Sequence, residues 1–122
     1  MSKSLKIAIQ LMTPPYTTQD HDSAIAIAEA ALARGHEVTI FLFADAILAA
    51  NARVKPVRSD RNVPKKLQEL IEEKNLKVEI CGICMDYRGL PKEDIIPGST
   101  PSGLPELADL VYSSDRFINF MA

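Results

Sequence analysis

The chain has no tryptophan, and only two cysteines and two histidines among its 122 residues. Cys81 and Cys84 stand too close together to close a useful loop, so a disulfide framework of the secreted kind is not expected. No apolar run approaches the roughly 18 residues of a membrane span. Neither sign of charge dominates: 14 basic residues against 16 acidic ones leave a net charge of −2. A phosphate-backbone partner needs a cationic face to release counterions, so direct nucleic-acid binding is not expected either. No glycine fingerprint follows the first apolar run, which disfavours a nucleotide enzyme. His21 and His36 lie at spacings from the cysteines that match no zinc pattern, and neither a metal nor an organic cofactor is expected. Met1-Ser2-Lys3-Ser4 passes straight into a strand pattern without a signal-peptide core, and the expected compartment is the cytoplasm.

What is present is a hydrophobic content of 47%, enough for one domain over residues 1–122 to bury a core without staples. Lys6 to Met12 and Glu37 to Phe43 are apolar runs with the look of strands buried on both faces. Between them, Ala24, Ile27, Ala28, Ala31 and Leu32 recur at helical spacing. Asp22 or Ser23 is the expected cap of that helix, and Gly35 its left-handed stop. An Ala-rich helix from about Ala44 to Asn51 precedes an irregular, mobile loop, Ala52 to Val63, that carries Arg53, Lys55, Arg58 and Arg61.

Pro64 suits a helix start, with Leu67, Leu70 and Ile71 on its apolar stripe. A third strand is expected at Lys77 to Cys81, then a brief helix from Ile83 to Arg88 that stops at Gly89. A short strand is expected near Ile95 and Ile96. Leu104 to Ser114 forms a last helix, with Leu107, Leu110 and Val111 inward, and Arg116 to Met121 a last strand. Phe117, Phe120 and Met121 are assigned to the core by default. This alternation calls for a three-layer α/β/α sandwich around a mostly parallel sheet of four to five strands, joined by right-handed crossovers. Reactive groups in such sheets gather beyond the carboxyl ends of the strands.

Cys81-Gly82-Ile83-Cys84 lies at such an end. With Cys81 in the cap position and Cys84 in the first turn, the helix dipole is expected to lower the thiol pKa. Arg88, one turn beyond Cys84, adds positive charge to the same face. Against this stands the plain reading that two buried cysteines are small hydrophobes, an alternative of equal weight on these residues alone. The chemical alternatives are a dithiol oxidoreductase that uses both thiols, and sulfur transfer by one nucleophilic cysteine with the second thiol optional.

The order of several segments resembles the DsrE/TusD family of intracellular sulfur-relay proteins. They are the Pro14 to Tyr16 loop, Arg34-Gly35-His36-Glu37, Cys81 followed by Arg88-Gly89-Leu90, Gly98-Ser99-Thr100-Pro101-Ser102-Gly103-Leu104 and Asp115-Arg116. The resemblance implies a DsrE-like fold and a probable-sulfurtransferase role in which Cys81 carries sulfane sulfur as a persulfide. It further implies donor and acceptor proteins with reactive cysteines. The implied assembly is a homotrimer or homohexamer, or a hetero-oligomer with related subunits. Cys84 departs from the relay pattern, and a thiol there can act as a resolving thiol toward a Cys81 persulfide. A non-catalytic, homo-oligomeric assembly subunit of the same fold remains the alternative from another class.

Among other residues, His21 is expected to be a solvated, helix-flanking side chain rather than a proton shuttle, and His36 to be structural. Tyr16 and Asn51 are expected on rim loops. Ser99, Thr100 and Ser102 either cradle an anion with Gly98 and Gly103 or simply form turns and caps.

Overall fold

The computed structural model describes residues 3–121; Met1 and Ser2, part of the expected leaderless start, lie outside the described residues. Strands β1 (Lys6–Leu11), β2 (Glu37–Leu42), β3 (Lys77–Cys81), β4 (Thr100–Ser102) and β5 (Arg116–Phe120) form one sheet. Its order is β4-β3-β2-β1-β5, and every pairing is parallel. Ile9, Ile40, Val78 and Ile118 come into register across four neighbouring strands, giving one continuous apolar row. All but Ile118 are fully buried. A parallel strand covered on both faces needs such unbroken apolar runs, which is why the strands read so clearly.

Helix α1 (Asp20–Ala33) joins β1 to β2, and α2 (Val63–Lys74) leads into β3. The two helices pack on each other. Right-handed crossovers running from β1 toward β4 place both on one face. The return from β4 to β5 runs the opposite way, so α4 (Leu104–Ser113) lies on the other face, against β1. That second face is more polar: Lys6, Thr39, Lys77 and Glu79 line a groove of about 220 Å³ with Glu106 and Asp109 of α4.

Helix α1 ends as its sequence predicts. Gly35 has φ 86°, and the amides of Gly35 and His36 donate back to Leu32 and Ala31. This is the Schellman pattern, which closes the last carbonyls of the helix. Its start differs from expectation. The helix begins at Asp20, with neither Asp22 nor Ser23 as cap and no side-chain cap bond from Gln19. The carboxylate of Asp20 instead accepts from the Thr13 hydroxyl at 2.7 Å, tying the helix to the end of β1.

His21 also departs from expectation: it is 1% exposed. One of its ring nitrogens, Nε2, lies 2.6 Å from the Thr13 carbonyl, which can only accept, so Nε2 carries the proton. Nδ1 has no partner. Burial holds the His21 pKa below its ordinary value, outweighing the Thr13 carbonyl and the nearby Asp20 and Asp22 carboxylates. His36 is structural as expected, its Nδ1 accepting from the Leu5 amide at 3.1 Å.

Three other expectations shift. The short strand is β4, not Ile95–Ile96; Ile95 makes a single antiparallel bridge with Asn51, and Ile96 is buried. On α4 only Leu110 is buried, whereas Val111 is 38% exposed, because a helix lying alone on its face presents a narrow stripe. Phe117 and Met121 are exposed rather than core, since edge strand β5 has a neighbour on one side only. The Ala52 to Val63 segment is pinned at its far end, where the Tyr16 hydroxyl accepts from the Val63 amide at 2.9 Å. Asn62 caps α2 there, its side chain accepting from Lys65.

Two stability predictions follow from these positions. The unfolded chain takes up a proton near pH 6.5 that folded, neutral His21 resists. Stability therefore falls as pH drops below 6.5, by at most about 1.4 kcal/mol per pH unit for this one group. Urea unfolding of His21→Gln between pH 7 and 5 is expected to lose much of that slope; an unchanged slope contradicts the assignment. Gly98 has φ 87°, and a Cβ there would meet Ile71 Cγ2 at 2.6 Å, whereas Gly35 has open space around it. Gly98→Ala combines backbone strain with overpacking and should cost about 2–4 kcal/mol. Gly35→Ala should cost only about 1–2 kcal/mol in the same urea titration.

Candidate functional site

The site forms where β3 passes into helix α3 (Gly82–Tyr87) with no connecting loop. Cys81 is at once the last strand residue and the cap of the helix, with extended backbone (φ −61°, ψ 114°). Its sulfur accepts from the Cys84 amide at 3.4 Å, the bond that a serine or aspartate oxygen makes at most helix starts. Cys84 follows in the first turn, so both thiols face one small volume. Both are free, and both are buried.

The loop after β2 supplies the second wall. Residues Ala44–Ala50 form a 3₁₀ turn where the sequence predicts an Ala-rich helix. Ala44 has φ 55°, left-handed backbone that an alanine rarely adopts. Its amide donates to Cys84 Sγ at 3.2 Å. Asp45, next in the chain, accepts from Arg88 Nε at 2.8 Å, and Arg88 Nη1 also reaches the Cys84 carbonyl at 3.4 Å. Arg88 thus lies on the expected face, but Asp45 neutralises its charge. The guanidinium braces the junction, and Asp45 is its main partner ahead of either cysteine.

The Cys81 thiol is pushed above its ordinary value, contrary to the expectation from a helix start. Burial is the largest cause, and the hydrogen-bonding Cys84 thiol adds to it; the Cys84 and Ile83 amides pull the other way and lose. Six residues make too short a helix for a substantial dipole, so desolvation wins. Cys81 therefore rests as a neutral thiol near pH 7.

Outside the pair, Ile83 and Tyr87 project from α3 at 62% and 84% exposure. Beside them a groove of about 390 Å³ is lined by Gly82, Met85, Leu90, Pro101 and Ser102. The Ser102 hydroxyl donates to Glu79 at 2.8 Å and that of Ser99 to the Ile96 carbonyl at 2.6 Å. A carboxylate beside Ser102 opposes an anion cradle; Ser99 closes a turn, while Thr100 and Ser102 belong to strand β4. Tyr16 does sit on the rim, half-exposed, next to Arg61. Asn51 accepts from the Arg53 amide within its own loop. Neither ring nitrogen of His21 bonds to a cysteine. Among the described residues, no three His, Cys, Asp or Glu side chains gather to hold a metal ion, and no helix is long and apolar enough to cross a membrane.

Sequence reasoning found the two thiols and Arg88 but missed Ala44 and Asp45. A left-handed alanine leaves no trace in composition, and its contribution is a backbone amide. Asp45 carried a weak signal as the lone charge in an Ala-rich stretch.

Comparison with known proteins identifies the family of the chain. The chain is 30% identical to the sulfurtransferase DsrE, provisionally so named, of Allochromatium vinosum, over 95% of this chain and 98% of that protein. It is likewise 30% identical to the sulfurtransferase TusD of Klebsiella pneumoniae, over 95% of this chain and all of that one. The crystal structure of the ychN protein from E. coli superposes with a TM-score of 0.81 at 29% identity, covering 95% of this chain and 99% of that one. A protein of unknown function from Methanobacterium thermoautotrophicum shares the fold, at a TM-score of 0.77 and 9% identity. The sequence pattern of the DsrE/DsrF-like family matches residues 5–120, and the chain belongs to that family.

Proposed function

We propose that this chain is a sulfurtransferase of a sulfur relay, acting as a single domain over residues 1–122 in the cytoplasm. In this reading Cys81 takes sulfane sulfur from a donor protein's persulfide and presents it to a reactive cysteine on an acceptor. The observation that carries the reading is the position of Cys81. It stands at the carboxyl end of a central strand, at a loopless strand-to-helix junction, in a family whose relatives are named sulfurtransferases. No cofactor is needed, because a thiolate attacks the outer sulfur of a persulfide directly.

The raised Cys81 pKa shapes the chemistry. Only the thiolate is nucleophilic, so a donor must displace water and bring a proton acceptor, or loading is slow at neutral pH. Ile83 and Tyr87 offer an apolar landing beside the thiol for a partner that excludes water.

Assembly as a homotrimer or homohexamer, or with related subunits, is part of the same proposal. Leu104, Tyr112, Phe117 and Met121 expose apolar surface around α4 and β5, which a neighbouring subunit would cover. A second reading, a non-catalytic assembly subunit, is favoured by one observation: both thiols are buried.

Mass spectrometry separates the two. After brief exposure to a persulfide donor, Cys84→Ser should gain a single sulfur atom at the protein level, wild type either that atom or the two-hydrogen loss of a resolved persulfide, and Cys81→Ser neither. Loading of Cys81→Ser, or no change in any of these proteins with free thiols confirmed, overturns Cys81 as carrier. Native spectra of the same samples should show trimers or larger assemblies; monomers alone contradict the assembly.

A further inference from the structure

Cys84 is the feature that the relay leaves unused. A relay that only passes sulfur between proteins needs one thiol, yet a second is held against the first. Its sulfur sits in a defined place: the Ala44 amide donates to it at 3.2 Å, and its own amide donates to Cys81 Sγ at 3.4 Å. The Ala44 bond has an energetic signature independent of the cysteines. Left-handed backbone is unfavourable at a non-glycine residue, and here it occurs at the residue whose N–H reaches the sulfur. A merely space-filling cysteine requires no such donor. A sulfur that must approach Cys81 from a fixed direction gains from one.

We propose that Cys84 resolves any Cys81 persulfide whose sulfur no acceptor takes, so that this sulfur leaves as sulfide and the chain is left with a Cys81–Cys84 disulfide. The inference rests on Cys81 being the persulfide carrier. In the step, the Cys84 sulfur attacks Cys81 Sγ, and the bond between Sγ and the sulfane sulfur breaks. The departing sulfur keeps the bonding pair, takes the proton that Cys84 gives up, and leaves as hydrosulfide. The sulfane sulfur is reduced by two electrons, and the two cysteines are oxidised to the disulfide. No outside oxidant enters. Restoring the dithiol requires an external dithiol reductant, which leaves as its own disulfide.

Position favours attack. Residues three apart in the first turn of a helix bring their sulfurs within bonding reach, as in other Cys-X-X-Cys pairs. The amide of Ala44 fixes the position of the attacking sulfur. Leaving-group chemistry also helps, since a thiol of lower pKa leaves faster and hydrogen sulfide, the conjugate acid of the leaving hydrosulfide, is more acidic than an alkyl thiol.

The test is single-turnover sulfide release under anaerobic conditions. Wild type, Cys84→Ser and Cys84→Ala are exposed to inorganic polysulfide, desalted, and followed without reductant. Sulfide is trapped with a bimane reagent, and protein mass is read in parallel. Wild type should release a single equivalent of sulfide and end two hydrogens lighter than the reduced chain; dithiothreitol should then restore the dithiol and allow reloading. Both variants should keep the added sulfur and release sulfide at least about tenfold more slowly. Wild type that holds its sulfur as long as the variants, with no lighter species, overturns the inference while leaving Cys81 as carrier. Failure of Cys84→Ser and Cys84→Ala to load at all, with both shown folded by circular dichroism, would instead overturn the carrier role and this inference with it.

Discussion

At the end of β3 the backbone must leave a ladder that is paired on both sides and enter a helix with no residues to spare. Cys81 occupies that single position: it still registers with Ser102 of β4, and its sulfur already caps the next turn. The constraint is severe because β3 is paired on both sides, to β2 and to edge strand β4, and because Ile80 beneath is fully buried. The thiol therefore cannot be moved without moving the sheet. Arg88, paired with Asp45 across the junction, holds the short helix against the loop after β2. A site built on such elements keeps its geometry better than one carried on a free loop.

The same placement determines the electrostatics. A thiol at the mouth of a parallel sheet is buried before it is polarised. Here the burial outweighs the amides that point at the sulfur. A thiol kept protonated in this way is a weaker nucleophile than a thiolate. The guanidinium nearest the pair is held first by the Asp45 carboxylate. What the surface offers beside the thiol is apolar, Ile83 and Tyr87, and an apolar contact is one that can displace water.

Much of this was legible in the residues. The strands β1, β2, β3 and β5 stand where continuous apolar runs place them, because a buried parallel strand has no polar face to blur the pattern. The end of α1 was legible because Gly35 has one dominant use after a helix. The cap of α1 was not, because several side chains near Thr13 compete for the same amides and the winner depends on tertiary contact. His21 was misread for a related reason: a histidine flanking a helix is usually wet, and only the fold of the Thr13 loop over it reveals a buried ring. At the site, the thiols and their spacing were visible, but the direction of the Cys81 pKa shift was not. Sequence reveals a helix start; it does not reveal how much water is removed from it.

The central claim is that Cys81 is a buried thiol at this junction, protonated at rest. The most direct test is the pH dependence of its alkylation by a small neutral electrophile in the native protein, with peptide mapping to separate Cys81 from Cys84. The account predicts a Cys81 rate that is still rising beyond pH 9.0, the ordinary thiol value from which burial raises it. A rate that levels off at or below pH 7 would contradict it, and would mean that the amides at the start of α3, not desolvation, govern the sulfur.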